Sequence, residues 1–256
     1  MQVKESVVVI TGGASGLGRA TATAIVNAGG KVMILDRDEE NGHKAVAELG
    51  DNAAFQLTDV TDEASVKAAI DATVSQFGAI HVCVNCAGIG SAMKTVGRDN
   101  EPHDLGVFNK VVQVNLVGTF NVARLAAAAM ANNPAGEDGE RGLIVNTASV
   151  AAYDGQIGQA AYSATKGGIV GMTLPIARDL APLGIRCNTI APGIFSTPLM
   201  LGMPDKVKDP LIAMTQFPKR LGNPAEYGAL VVHMMENRFL NGESIRLDGA
   251  IRMQPR

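Results

Sequence analysis

Tryptophan is absent from this 256-residue chain, and it holds only three cysteines and four histidines. That scarcity argues against a disulfide scaffold, and the spacing argues against a metal centre. Cys83 and Cys86 form a C-x-x-C, but Cys187 stands alone and His43, His81, His103 and His233 are scattered, so no second pair completes a zinc site. The pair lies in or at the exit of the apolar run Ile80–Val84, where strand geometry sends the two side chains to opposite faces. They read as small buried side chains, with no metal expected.

A basic excess is also missing. With 22 Lys and Arg against 25 Asp and Glu, the net charge is −3, which speaks against a partner bound through a nucleic-acid backbone. No uninterrupted apolar run reaches the roughly 18 residues of a membrane span. The first apolar run, Val7–Ile10, is short and ends in glycines, so no secretory signal is expected. The expectation is a cytoplasmic protein without a membrane partner. Hydrophobic residues make up 46% and charged ones 18%, a balance that excludes disorder. No repeat or break in composition marks a linker, so residues 1–256 are expected to form one domain.

What is present is an alternation of strands and helices. Val7–Ile10 is an unbroken β-branched run, as in a strand covered on both faces. It leads through the glycine loop Gly12–Gly18 into a helix expected over Arg19–Ala28. Such a loop lets backbone approach a diphosphate, whose charge meets the helix N-terminus. A second strand, Val32–Leu35, closes on Asp36, about 20 residues past the glycines, where an acid can bind the adenine ribose hydroxyls. A 2′-phosphate beside that carboxylate would cost about 4 kcal/mol per charge pair. The expected cofactor is therefore NAD rather than NADP, although Arg37 next door could swing to a phosphate.

The pattern continues with helix Glu39–Leu49, strand Ala53–Leu57, helix Glu63–Phe77 and strand Ile80–Val84. A long helix over Val107–Ala131, a strand at Leu143–Val145, helix Ala160–Leu180 and strand Arg186–Ile190 follow, then helix Glu226–Met235 and strand Glu243–Leu247. This order specifies an α/β fold: one doubly wound parallel sheet of Rossmann type with helices on both faces. Ligands of such sheets bind at the carboxyl ends of the strands. The glycine loop, Asp36, Asp59, Asn85 and Ser149 all fall at such ends.

Tyr162 and Lys166 are four apart, on one face of the expected helix, and Ser149 lies upstream near a strand end. A free phenol has a pKa of about 10. A neighbouring ammonium favours the phenolate, so the spacing predicts a tyrosine base with a lowered pKa. Asn115, inside the long helix, reads on its own as a solvent-facing or back-bonding residue. Between Ile194 and Phe217 an apolar stretch, including Leu199, Met200 and Met203, is broken by Pro198, Pro204 and Pro210. Two short helices are expected there, covering either a substrate pocket or a subunit contact.

Taken together these residues resemble the short-chain dehydrogenase/reductase family over essentially the whole chain. The family's T-G-x-x-x-G-x-G corresponds to Thr11, Gly12, Gly16 and Gly18, and its N-N-A-G to Asn85-Cys86-Ala87-Gly88, with a departure at Cys86 expected to touch sheet support only. The resemblance implies a catalytic Asn115, Ser149, Tyr162 and Lys166, which replaces the bland reading of Asn115. It also implies cofactor contacts from Gly12, Ser15, Gly16, Leu17, Gly18, Asp36, Asp59, Val60, Asn85, Ala87, Gly88, Tyr162, Lys166, Pro192, Gly193 and Thr197. Within the family the similarity is to members that are NAD-linked homotetramers oxidising short 3-hydroxyacyl-CoA, 2-methyl-3-hydroxybutyryl-CoA included. A 3-oxoacyl-carrier-protein reductase, a hydroxysteroid dehydrogenase and a dinucleotide-binding scaffold without turnover remain as alternatives. Lys206, Lys208, Lys219 and Arg220 flank the expected lid, with Lys94 and Arg98 on the polar excursion after Gly88, and these cations could meet the phosphates of coenzyme A.

Overall fold

The computed structural model describes residues 1–255, without the side chains of Leu199 and Val207; Leu199, one of the apolar residues of the expected lid, thus lies outside the described side chains. Seven strands form one sheet: β1 (Val7–Thr11), β2 (Lys31–Asp36), β3 (Ala53–Leu57), β4 (Val82–Asn85), β5 (Gly142–Thr147), β6 (Ile185–Pro192) and β7 (Ser244–Leu247). Their order is β3-β2-β1-β4-β5-β6-β7, and every pairing is parallel. The chain therefore builds outward from β1 to β3, returns to β4 on the other side of β1, and builds outward again. Thr11 pairs with Leu35 on one side and Asn85 on the other.

Both faces of the sheet are buried, which is why β1 shows no polar alternation. Val8 and Ile10 pack with Ala22 and Ile25 of α1 (Gly16–Asn27) and with Tyr227 and Val231 of α9 (Pro224–Glu236). Val9 points the other way, into a cluster with Val66 and Ile70 of α3 (Glu63–Phe77), Val122 and Ala126 of α5 (Gly118–Met130), and Ile176 of α6 (Ala160–Leu180). Cys83 belongs to this second cluster while Cys86 packs against the first. The C-x-x-C thus straddles the sheet, and both thiols are free.

Most sequence-derived boundaries agree with the structure; α2 (Glu39–Leu49), β3, α3 and α6 match at both ends. Two differences matter for the site. The first helix begins at Gly16, three residues early, because it absorbs the last glycines of the loop; a Cβ on Gly18 would lie 2.3 Å from the Gly12 carbonyl oxygen. The long helix expected over 107–131 is two helices, α4 (Leu105–Val112) and α5, joined by one wide turn of π type over Gln113–Val117. Such turns occur frequently at functional sites. The run Leu105–Met130 is long and apolar enough to span a membrane, but half of its most apolar window is buried against the sheet.

β6 carries a buried charge. The Arg186 guanidinium pairs with Glu140 through Nε and Nη2 at 2.9 and 2.8 Å and also donates to the Met234 and Leu240 carbonyls. Truncating Arg186 leaves those buried carbonyls unsatisfied and leaves Glu140 only the Met1 ammonium, 2.7 Å away, as a partner. Arg186→Met is expected to lower unfolding free energy by about 3 kcal/mol or more in denaturant titration, with partial recovery in Arg186→Met/Glu140→Gln. A single variant within about 0.5 kcal/mol of the parent would mean that this pair does not hold β6.

Candidate active site

The reversal of strand order between β1 and β4 opens a cleft of about 670 Å³ at the carboxyl ends of the strands. Its floor is the glycine loop. Gly12 and Gly16 have positive φ (64° and 54°), and a Cβ on Gly12 would meet the Ala87 backbone nitrogen at 2.9 Å. Glycine is needed there both for conformation and for the close approach of two backbones. Helix α1 then starts without a capping side-chain bond from Ser15 and without an acid in its first turn. By contrast, α2, α3 and α9 are capped by Asp38, Asp62 and Asn223. The open N–H groups and positive end of α1 face the cleft at Ser15, Gly16, Leu17 and Gly18, the chemistry a diphosphate requires.

The far wall is acidic. Asp36, ending β2, accepts from the Ala14 amide at 3.0 Å and the Asp38 amide at 3.1 Å, so its carboxylate also ties β2 to the glycine loop. Asp59 accepts from the amide and hydroxyl of Thr61 at 2.9 and 2.7 Å; these bonds hold its carboxyl below the ordinary value, with a smaller contribution from Arg37. Arg37 stands 3.7 Å from Asp59 and is largely exposed. Val60, Ala87, Gly88, Pro192, Gly193 and Thr197 line the same cleft.

Asn85 does not. It is 2% exposed, and its side-chain amide donates to Asn146 on β5 at 3.0 Å. As the last residue of β4 with its side chain directed into the sheet, it supports the strands beneath the cleft and makes no wall of it, a correction to its expected cofactor contact. Asn115 is also fully buried, but its place is informative. The wide turn after α4 aims its side chain at the chain leaving β4, where it accepts from the Ile89 amide at 2.8 Å and donates to the Ile89 carbonyl at 2.9 Å. It also donates to the Thr165 hydroxyl at 3.2 Å. A Cβ on Gly88 would lie 3.2 Å from Asn115 Oδ1 and 3.6 Å from Lys166 Nζ, so both groups converge on that glycine.

Ser149, two residues past β5, and Tyr162 and Lys166, on the first turns of α6, share the cleft. Lys166 Nζ donates to the Thr147 carbonyl at 2.8 Å and lies 5.6 Å from the centre of the Tyr162 ring. Burial lowers the lysine to about 8. The phenol is raised rather than lowered: burial dominates, and a hydrogen bond with Ser149 only partly opposes it. The lowered tyrosine pKa expected from spacing alone is therefore not a property of these side chains by themselves. Removing the phenolate from water costs more than a lysine placed against the ring, and itself partly desolvated, returns.

Three contributors escaped sequence reasoning. The Thr147 carbonyl anchors Lys166, while the Thr147 hydroxyl bonds Tyr227 of α9 at 2.7 Å. Cys86 lines the cleft with Sγ 3.7 Å from the same Tyr227 hydroxyl, beside the role in sheet support expected of it. Met253, from the C-terminal segment, lines the same cleft. No local pattern marks a backbone carbonyl or a distant methionine. Pro198 and Met200 of the expected lid also reach the cleft, and the two short helices expected there are α7 (Pro198–Leu201) and α8 (Asp205–Met214). Among the described residues no group of three or more His, Cys, Asp or Glu could hold a metal.

Comparison with known proteins agrees with this geometry. Residues 6–207 match the short chain dehydrogenase family. The chain is 57% identical to 3-hydroxyacyl-CoA dehydrogenase type-2 of Rattus norvegicus over 254 residues, covering 99% of this chain and 97% of the relative. The crystal structure of 3-hydroxyacyl-CoA dehydrogenase type-2 from Mycobacterium avium superposes with a TM-score of 0.94 at 45% identity, covering 100% of both chains. A 3-ketoacyl-(acyl-carrier-protein) reductase from Brucella melitensis, complexed with NADH, gives 0.86 at 28% identity over 98% of this chain and 100% of its own. A family match over most of the chain, full-length relatives and the Ser149, Tyr162 and Lys166 cluster beside an uncapped glycine-loop helix lead to one conclusion: this chain belongs to the short-chain dehydrogenase/reductase family.

Proposed function

We propose that this enzyme oxidises short-chain 3-hydroxyacyl-CoA, including 2-methyl-3-hydroxybutyryl-CoA, to 3-oxoacyl-CoA with NAD. The observation that carries the reading is the meeting, in one cleft, of a dinucleotide cradle with Ser149, Tyr162 and Lys166. Full-length similarity to proteins named 3-hydroxyacyl-CoA dehydrogenase type-2 supports the substrate class.

The residues divide the work. Gly12, Ser15, Gly16, Leu17 and Gly18 would hold the diphosphate, Asp36 the adenosine ribose, and Asp59, Val60 and Ala87 the adenine side of the cleft, with Gly88 beside Lys166 toward the reacting end. Pro192, Gly193 and Thr197 would border the nicotinamide end, under a lid formed by residues 194–217. When bound, the dinucleotide supplies the hydride acceptor. Tyr162, as phenolate, takes the proton of the substrate hydroxyl, and Ser149 hydrogen-bonds the substrate oxygen as its charge changes. Lys166 supplies positive charge beside the phenol, and Asn115 holds the Ile89 backbone at the lining of the cleft. Of the four cations flanking the lid, Lys208 and Arg220 are paired with Asp205 and Glu226. Lys94, Arg98, Lys206 and Lys219 are exposed and suit the phosphates of coenzyme A. The exposed Leu105, Val117, Phe120 and Leu174 on α4, α5 and α6 and in the turn between α4 and α5 support a homotetramer. A net charge of −3 favours no nucleic-acid partner, and a cytoplasmic location without membrane contact completes the reading.

Three measurements test it. The substrate claim is read from kcat/KM for acetoacetyl-CoA, an acyl-carrier-protein thioester and a steroid ketone; far higher efficiency on either of the last two would overturn it. For the proton acceptor, oxidation requires a deprotonated phenol whose pKa burial has raised, so its rate should climb with pH between about 7 and 10, while reduction, which needs the protonated phenol, should stay level over that range and fall only above about 10. Tyr162→Phe should cost at least ~10²-fold in turnover with little change in dinucleotide affinity. Near-parental turnover in that variant would remove Tyr162 from the mechanism. For cofactor choice, Asp36→Ala relieves repulsion of a 2′-phosphate, and the NADP-to-NAD ratio of kcat/KM should rise. An unmoved ratio would assign the selection elsewhere.

A further inference from the structure

We infer that the C-terminal segment Asp248–Pro255 is a strap that closes the substrate end of the cleft, with Met253 setting how much chain the site accepts; its application to acyl-CoA rests on the reading above. Beyond β7 the chain turns sharply at Gly249 and Ala250, with φ of 57° and 60°. A non-glycine residue keeps such a conformation only where its surroundings hold it. Here the Ala250 amide donates to Asp248 Oδ1 at 3.0 Å, and Ile251 is fully buried.

The strap is fastened to both banks of the cleft. On the catalytic bank Arg246 is the staple. It bonds Asp248 and Asp154 at 2.7 Å each, donates to the Ile251 carbonyl at 3.0 Å, and lies over the Tyr153 ring at 5.1 Å. Tyr153 and Asp154 belong to the segment that runs from Ser149 to α6. Further along, Gln156 Nε2 donates to the Gln254 carbonyl and the Ile157 amide to the Pro255 carbonyl, both at 3.0 Å. On the lid bank the Gln254 amide approaches the sulfur of Met214, the last residue of α8, at 3.3 Å, and the Gln216 amide donates to the Gly249 carbonyl at 3.0 Å.

Met253 sits between these anchors and lines the cleft together with Ser149, Gln159 and Tyr162. Gln159 belongs to the same tied segment: its side chain accepts from the Gln156 amide at 2.9 Å. Backbone bonded on both sides of an apolar side chain makes a wall that cannot retreat as a ligand lengthens. Within the wall, the unbranched thioether can yield to a methyl branch but not to several further carbons. One methylene in an apolar pocket is worth roughly 10- to 200-fold in discrimination.

The test is kcat/KM across 3-oxoacyl-CoA substrates of four to ten acyl carbons, with a parallel series of 2-ketones lacking coenzyme A. Met253→Ala is expected to raise the long-to-short ratio by about 10-fold in both series, while Met253→Leu keeps the parental ratio. Asp154→Asn, which loosens the strap without lining the cleft, should move the ratio in the same direction by less. If Met253→Ala leaves both ratios unchanged, the strap does not set chain length. If acyl-CoA substrates fail in the parent while the ketone ratio moves with Met253, the strap stands and the acyl-CoA reading falls.

Discussion

The structure depends on one topological constraint: β1 lies between β2 and β4, and every strand runs parallel to its neighbours. Parallel strands can be joined only by crossovers, so all seven end on the same edge of the sheet. The reversal of winding at β1 separates the chain leaving β1 from the chain leaving β4, and the crevice forms there. Gly12 and Ala87 nevertheless come into close backbone approach across it, which only a residue without a side chain allows. The glycine loop, the two aspartates, Ser149 and the α6 face are neighbours because strand ends are neighbours, though they span some 150 positions of sequence.

Within that crevice two opposite electrostatic environments are built side by side. At the α1 end, unpaired amides offer positive potential to an anion, and Asp36 bounds it on the ribose side. At the α6 end the groups are dry. Burial raises the phenol and lowers the lysine to about 8, which drives apart two groups whose ordinary values nearly coincide and leaves the lysine the nearer of the two to neutral pH. Proton transfer is best served by a group that is neither firmly protonated nor firmly ionised at the working pH. The Thr147 carbonyl, fixed in turn through the Thr147 hydroxyl to Tyr227, holds the ammonium in this dry setting. Helix α9, late in the chain and on the opposite side of the sheet from α6, therefore bears on Lys166 through a single residue of β5.

Much of this was legible in the order of residues. The unbroken apolar strands, the glycine loop followed by a helix, and Asp36 at the end of β2 are local patterns, and local patterns survive being read one window at a time. Tyr162 and Lys166 share a face because a helix repeats about every 3.6 residues. What spacing alone leaves open is direction rather than presence. Asn115 looks like any polar residue inside a helix until a widened turn aims it at Ile89. Asn85 stands at the right strand end, yet its amide is spent on Asn146 inside the sheet. The tyrosine and lysine were correctly paired, but the sign of the phenol's shift depends on how much water each has lost.

The sequence by itself determined the fold class and the dinucleotide cradle, because the alternation of strands and helices and the glycine loop are patterns of order and spacing, while the roles expected of Asn115, Ser149, Tyr162 and Lys166 follow from the family resemblance. Only the tertiary structure decided which of these groups face the cleft, what holds Lys166, and that Met253 reaches the cleft. Those outcomes are set by contacts between segments far apart in the chain, such as Arg246 with Asp154 and Thr147 with Tyr227. Burial and hydrogen-bond partnership belong to the packed molecule, and no window of residues contains them.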